Sequence, residues 1–163
     1  MCIRDRLHPG RIDLGLGRAP GTDQRTLQAL RRDPSAAERF PQDVLELQGY
    51  LTGQSLIPGI DAYPGKGTNV PLYILGSSAF GAQLAAQLGL GYAFASHFAP
   101  QMLEHAARLY REHFEPSEAL AEPHFIAAAN VIAADTEEVA EREWQAAQRA
   151  RIRVTVSYTH LRA

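Results

Sequence analysis

The chain reads as an α/β protein built on a parallel sheet. Three observations predict it. Short apolar runs of strand length recur at residues 11–16, 72–75, 92–95 and 125–132. Each is followed by a segment of helical spacing or composition. The last run is nearly continuous in apolar residues, as a strand buried on both faces should be. Strands that alternate with helices imply right-handed crossovers and a parallel sheet.

In order along the chain, residues 11–16 form a strand with Ile12, Leu14 and Leu16 on one face. Residues 17–40 are a polar, Gly/Pro-bearing connection with a short helix around Arg25 to Arg32. Pro41 suits the first turn of a helix, where its missing N–H has no partner to lose. Phe40, Val44, Leu47 and Leu51 then make one apolar stripe. Gly53, Pro58, Gly59, Pro64, Gly65 and Gly67 mark residues 52–70 as a loop. A second strand covers Leu72 to Leu75, and an alanine-rich helix runs from about Ser78 to Leu88, stopped by Gly89. A third strand, Tyr92 to Ala95, leads to a helix from about Pro100 to Phe114 with Leu103, Ala106 and Tyr110 inward. The fourth strand is Phe125 to Ile132. Asp135 caps a last helix, Glu138 reaches back to close the cap, and the helix ends near Arg149 with Ala140, Trp144 and Ala147 on one face. Four such units make either a small open sheet or half of an eightfold barrel, since a full barrel needs about 250 residues. Periodicity alone leaves both open.

The composition excludes several function classes. The 163 residues carry 45% apolar and 21% charged residues, ordinary for a soluble domain. A net charge of −2, with no basic cluster beyond Arg31–Arg32, argues against nucleic-acid binding. The longest apolar run, 125–134, is interrupted by Asn130 and is too short to cross a bilayer. No signal peptide is recognisable. Cys2 is the one cysteine, so no intrachain disulfide is possible, which fits a reducing cytoplasm. No set of residues has metal-ligand spacing: His105 and His113 are too far apart for a one-turn pair. Residues 15–21 are one residue too long for a dinucleotide fingerprint, and Gly67 stands where a P-loop needs Ser or Thr.

Both ends look foreign. MCIRDR (1–6) and VSYTHLRA (156–163) resemble translated adapter read-through. The expected organisation is therefore a non-native start at 1–6, one domain over 7–150, and a fragment end at 151–163 with a non-native tail from about 156. On that reading neither end packs against the fold. The competing reading is a strand over 152–158, where apolar and polar residues alternate.

Chemistry concentrates where strands end. Arg18 follows the first strand beside Gly15 and Gly17, and its guanidinium could grip a phosphate or pair with Asp23. Gly76, Ser77 and Ser78 lie where the second strand turns into a helix. Glycine permits close approach of a ligand. Hydroxyls and the N–H groups of a helix start hold anions, although the serines could equally cap the helix. His97 ends the third strand, where an imidazole could exchange a proton or bond to the backbone.

GRIDLGLGRAPGTD (10–23) and PLYILGSSAFGAQLAAQLGLGYAFASHF (71–98) together resemble the bacterial luciferase-like flavin-dependent monooxygenases. The resemblance covers about Leu7 to Arg149. It implies a partial (β/α)8 TIM barrel, about four consecutive β-α units corresponding to the fourth to seventh strands. It implies an enzyme using reduced FMN and molecular oxygen on a small organic substrate. It further implies a flavin reductase as partner and a dimeric full-length protein, with this fragment inactive alone. Arg18, Gly76, Ser77 and Ser78 match places that face the flavin phosphate in the family. Phe80 and Gly81 stand where further hydroxyls occur, so a contact from Gly81 would be made by its backbone. Two alternatives come with the resemblance: a deazaflavin-dependent hydride-transfer enzyme of the same superfamily, and a non-catalytic flavin-binding partner subunit.

Overall fold

The computed structural model describes residues 2–19, 24–31 and 33–160. Contacts divide the chain into two compact units, Met1–Ala128 and Ala129–Ala163.

The first unit holds the sheet. Its elements are α1 (Cys2–Leu7), β1 (Leu14–Gly17), α2 (Gln24–Ala29), α3 (Phe40–Thr52), β2 (Leu72–Gly76), α4 (Ala79–Gln87), β3 (Gly91–Phe94), α5 (Leu103–Glu112) and β4 (Phe125–Ala127). Short 3₁₀ turns at Pro34–Ala37 and Pro100–Met102 precede α3 and α5. The four strands are all parallel and lie in the order β1-β2-β3-β4. A doubly wound sheet reverses its strand order at a switch point. Here every strand lies beside its predecessor, which is how a barrel wall is laid down.

Pleating gives this wall two unlike faces. Leu72 and Ile74 of β2, with Tyr92 and Phe94 of β3, are buried in one core. Val44 and Leu51 of α3, Ala82, Ala85 and Ala86 of α4, and Ala106 and Tyr110 of α5 belong to the same core. The opposite face carries, in register, Gly15 beside Tyr73 and Gly91, Gly17 beside Leu75 and Ala93, and Ile126 beside Ala93. That face is open: Leu75 is 44% and Ile126 42% exposed. In a closed barrel it would line the interior.

Several boundaries differ from expectation. β1 starts at Leu14, not residue 11, because the Leu14 N–H is the first to reach the neighbouring strand, at the Pro71 carbonyl (2.9 Å). β4 ends at Ala127, not Ile132, because its partner β3 ends at the paired Phe94 and the chain there turns away. The helix expected around Arg25 to Arg32 is Gln24–Ala29; Arg31 has turned to a positive φ of 52°, and Arg32 lies outside the described residues. The first residues also make contacts, against expectation. Arg6 donates from Nε to the Pro64 carbonyl (3.0 Å) and from Nη2 to the Lys66 carbonyl (2.7 Å).

The second unit contains α6 (Glu137–His160). Its cap is Thr136, one residue later than the expected Asp135: Thr136 Oγ1 accepts from the Val139 N–H at 3.4 Å. The backbone stays helical through 152–158, where a strand was the competing reading, and runs well past Arg149. Residues 161–163 of the suspected tail lie outside the described residues.

Candidate functional site

Parallel register brings the C-terminal ends of the strands to one edge, with Gly17 beside Leu75, Gly76 beside Phe94, and Phe94 beside Ala127. Arg18, Ser77, Ser78 and His97 therefore all leave the sheet on the same side. The connection after β1 also starts from this edge, while the Gly/Pro-rich loop after α3 enters β2 from the opposite one.

The turn from β2 into α4 is the best-defined part. Ser78 is the N-cap residue, extended at φ −141° and ψ 166°, and its hydroxyl makes no capping hydrogen bond. The capping role that sequence could not separate from ligand binding is thus not what occupies Ser78. Helix geometry leaves the N–H groups of Ala79, Phe80 and Gly81 without carbonyls inside α4. The first turn has no acidic residue to answer the positive end of the helix dipole. Ser77 and Ser78 are exposed, so this end of α4 is open to a ligand.

Tyr92 holds that turn from beneath. Its Oη donates to the Ser78 carbonyl at 3.0 Å. Its ring is fully buried among Phe94, Tyr110 and Phe125. Burial pushes the phenol up to about 12, so it stays protonated and keeps its donor. Gly81 is fixed by the same ring: a Cβ there would lie 3.1 Å from Tyr92 Cε2. The glycine thus serves packing, and any contact it makes with a ligand comes from its amide.

Arg18 approaches from β1. Its Cζ lies 4.1 Å from the centroid of the Phe80 ring, within cation–π range. Among the described residues no carboxylate pairs with it. Asp23, the partner considered from sequence, lies outside them. Arg18 and the start of α4 are therefore brought together, through a residue the sequence reading did not give a role.

His97 stands in the turn after β3, half-buried, with its ring 4.2 Å from that of Phe98. Phe98 is 73% exposed on the same edge. The adjacent Ser96 is buried, and its hydroxyl donates to the Ala128 carbonyl, tying the end of β3 to the end of β4. Sequence reasoning missed Ser96 and Tyr92. A tyrosine inside a buried strand was the available signal, since its hydroxyl must find a partner. Among the described residues, no group of His, Cys, Asp or Glu could hold a metal ion, and no helix is long and apolar enough to cross a membrane.

The luciferase-like monooxygenase family matches residues 5–161, nearly the whole chain. The chain belongs to the luciferase-like monooxygenase family. A luciferase-like monooxygenase of Escherichia coli K12 is 50% identical over 149 residues, covering 91% of this chain and 44% of that protein. The N-acetyl-S-alkylcysteine monooxygenase of Bacillus subtilis is 32% identical over 149 residues, covering 83% of this chain and 42% of that protein. Among solved structures, that of apo-MsnO8 superimposes with a TM-score of 0.75 at 34% identity, covering 86% of this chain and 42% of that one. The chain thus spans 44% of the length of its E. coli relative. The fold is a partial luciferase-like TIM barrel of four consecutive β-α units.

Proposed function

We propose that these four units are the phosphate-binding part of a flavin-dependent monooxygenase, which uses reduced FMN and molecular oxygen to oxidise a small organic substrate. One observation carries the reading: an arginine and an open helix N-terminus meet at the C-terminal edge of the sheet. A phosphate dianion suits this donor set. The guanidinium supplies charge and a planar fork, the Ala79, Phe80 and Gly81 amides supply aligned N–H groups, and the Ser77 and Ser78 hydroxyls add neutral donors. Gly76 allows the ligand close to the backbone. Reduced flavin, when bound, would supply the oxygen-activating redox chemistry.

This chain's own residues bind, orient and shield. Arg18 and the start of α4 would fix the phosphate and so set where the rest of the cofactor lies. Leu75 and Ile126, on the open face, would exclude water from the barrel interior. His97, at the same edge, would face substrate with a ring nitrogen that can hold or pass a proton. In this reading a separate flavin reductase supplies the reduced cofactor.

The test uses the full-length protein that carries these units. Arg18→Ala should cost about 1.5–3 kcal/mol, or roughly ten- to a hundredfold in FMN affinity. Ser78→Ala should cost less, because the backbone donors remain. Riboflavin lacks the phosphate, so its weaker binding should not respond to either substitution. Equal weakening of both flavins by Arg18→Ala would defeat the assignment.

A further inference from the structure

Arg18 and Phe80 come from different elements: one follows β1, the other sits in the first turn of α4. Phe80 is half-buried and packs against the core, so its ring has a fixed seat. Arg18 is exposed, and a free arginine on a surface samples many rotamers. The ring lies 4.1 Å from Cζ, close enough to hold the cation by its quadrupole. Phe80 also contributes one of the unbonded first-turn amides, so the face that holds the guanidinium belongs to the residue at the anion-binding end of α4.

We infer that Phe80 is a positioning residue: its ring orders the Arg18 guanidinium beside the N-terminus of α4, so that the charge and the helix amides act on one phosphate. The inference rests on the FMN-phosphate reading above. Phe80 touches the ligand with its backbone N–H at most. The side chain works through Arg18. A planar guanidinium stacked on a ring keeps its N–H edge free for an anion, so the two interactions do not compete. The expected loss on removing the ring is about two- to fivefold in FMN affinity, the size of an exposed cation–π contact.

A double-mutant cycle in the full-length protein tests this, with FMN and riboflavin titrated separately. Phe80→Leu keeps an apolar side chain in the seat and removes the ring. It should weaken FMN about two- to fivefold, leave riboflavin unchanged, and have no effect on FMN once Arg18 is alanine. Phe80→Tyr should restore FMN binding. Without ligand, the Arg18 Nε–H resonance in ¹H–¹⁵N spectra should carry a ring-current shift that Phe80→Leu abolishes and Phe80→Tyr keeps. If Phe80→Leu fails to fold, Phe80→Tyr and the wild-type Nε–H shift still decide: an unshifted Nε–H overturns the inference. It is also overturned if Phe80→Leu weakens both flavins, or weakens FMN equally with and without Arg18. If Arg18→Ala leaves FMN affinity unchanged, the phosphate reading itself fails. If Arg18→Ala acts on FMN alone while Phe80→Leu does nothing, only the positioning role fails.

Discussion

Replacing Tyr92 by phenylalanine should destabilise the protein near neutral pH and stabilise it in strong base. The substitution keeps the ring, which is fully buried and packs on Phe94, Tyr110 and Phe125. It removes the hydroxyl that donates to the Ser78 carbonyl at 3.0 Å. That carbonyl also stands at the start of α4, where it accepts the first intrahelical bond, so it is not left bare. The cost near pH 8 should therefore be the net value of one hydrogen bond, about 1 kcal/mol. Base reverses the balance. The phenol sits near 10 in the unfolded chain and is raised to about 12 by burial. Below pH 10 both states hold the proton, and the full contribution is present. As pH rises towards 12 the unfolded state gives up its proton first, so the native state loses ground. For the wild type this removes on the order of 1 kcal/mol by pH 11 and more above pH 12. Tyr92→Phe has no such loss. Groups common to both proteins cancel in the difference. Urea midpoints of the two proteins, measured from pH 8 to pH 11.5, should cross near pH 11. A gap that stays constant across this range would mean that Tyr92 is not desolvated in the native state. A gap absent already at pH 8 would mean that the bond to Ser78 contributes nothing.

Two further substitutions test the packing around the site. Gly89 has φ +59°, and a Cβ there would lie 2.5 Å from the Glu115 carbonyl oxygen; Gly89→Ala should cost about 2–4 kcal/mol in chemical denaturation, because backbone strain and a backbone clash add. Ser96→Ala removes the hydroxyl that ties β3 to the Ala128 carbonyl; it should cost about 1 kcal/mol and speed amide exchange at Ala127 and Ala128, leaving exchange in β1 unchanged.

What was legible in the sequence follows the range of the forces involved. The α3 stripe of Phe40, Val44, Leu47 and Leu51 and the α5 set of Leu103, Ala106 and Tyr110 were readable because an amphipathic helix writes its buried face into its own spacing. Both sets pack on the core. Strand limits were not readable in the same way. A strand lasts as long as its neighbour offers hydrogen bonds, so Phe125–Ala127 stops with β3 although its apolar run continues. The choice between open sheet and barrel wall also lay outside periodicity, since it depends on which strands are neighbours.

The site divides along the same line. Gly76, Ser77 and Ser78 stood out because a strand that turns into a helix within a few residues exposes its amides by local geometry alone. Arg18 stood out because it follows a strand end. That these two places meet depends on the β1–β2 register, which pairs Gly17 with Leu75. Neither the Arg18–Phe80 contact nor the Tyr92–Ser78 bond leaves a local trace. Phe80 has the chemistry of a core residue and packs against the core; the second role inferred for it exists only because Arg18 lies over it. Tyr92 likewise fits a buried strand, and its hydroxyl acquires meaning only from the turn above it. On the proposed reading, a phosphate grip assembled this way would have its donors on short local segments and its alignment in tertiary contacts. Substitutions at Ser77 or Ser78 should therefore remove donors one at a time, whereas substitutions at Tyr92 or Phe80 should disturb the aim of donors that remain.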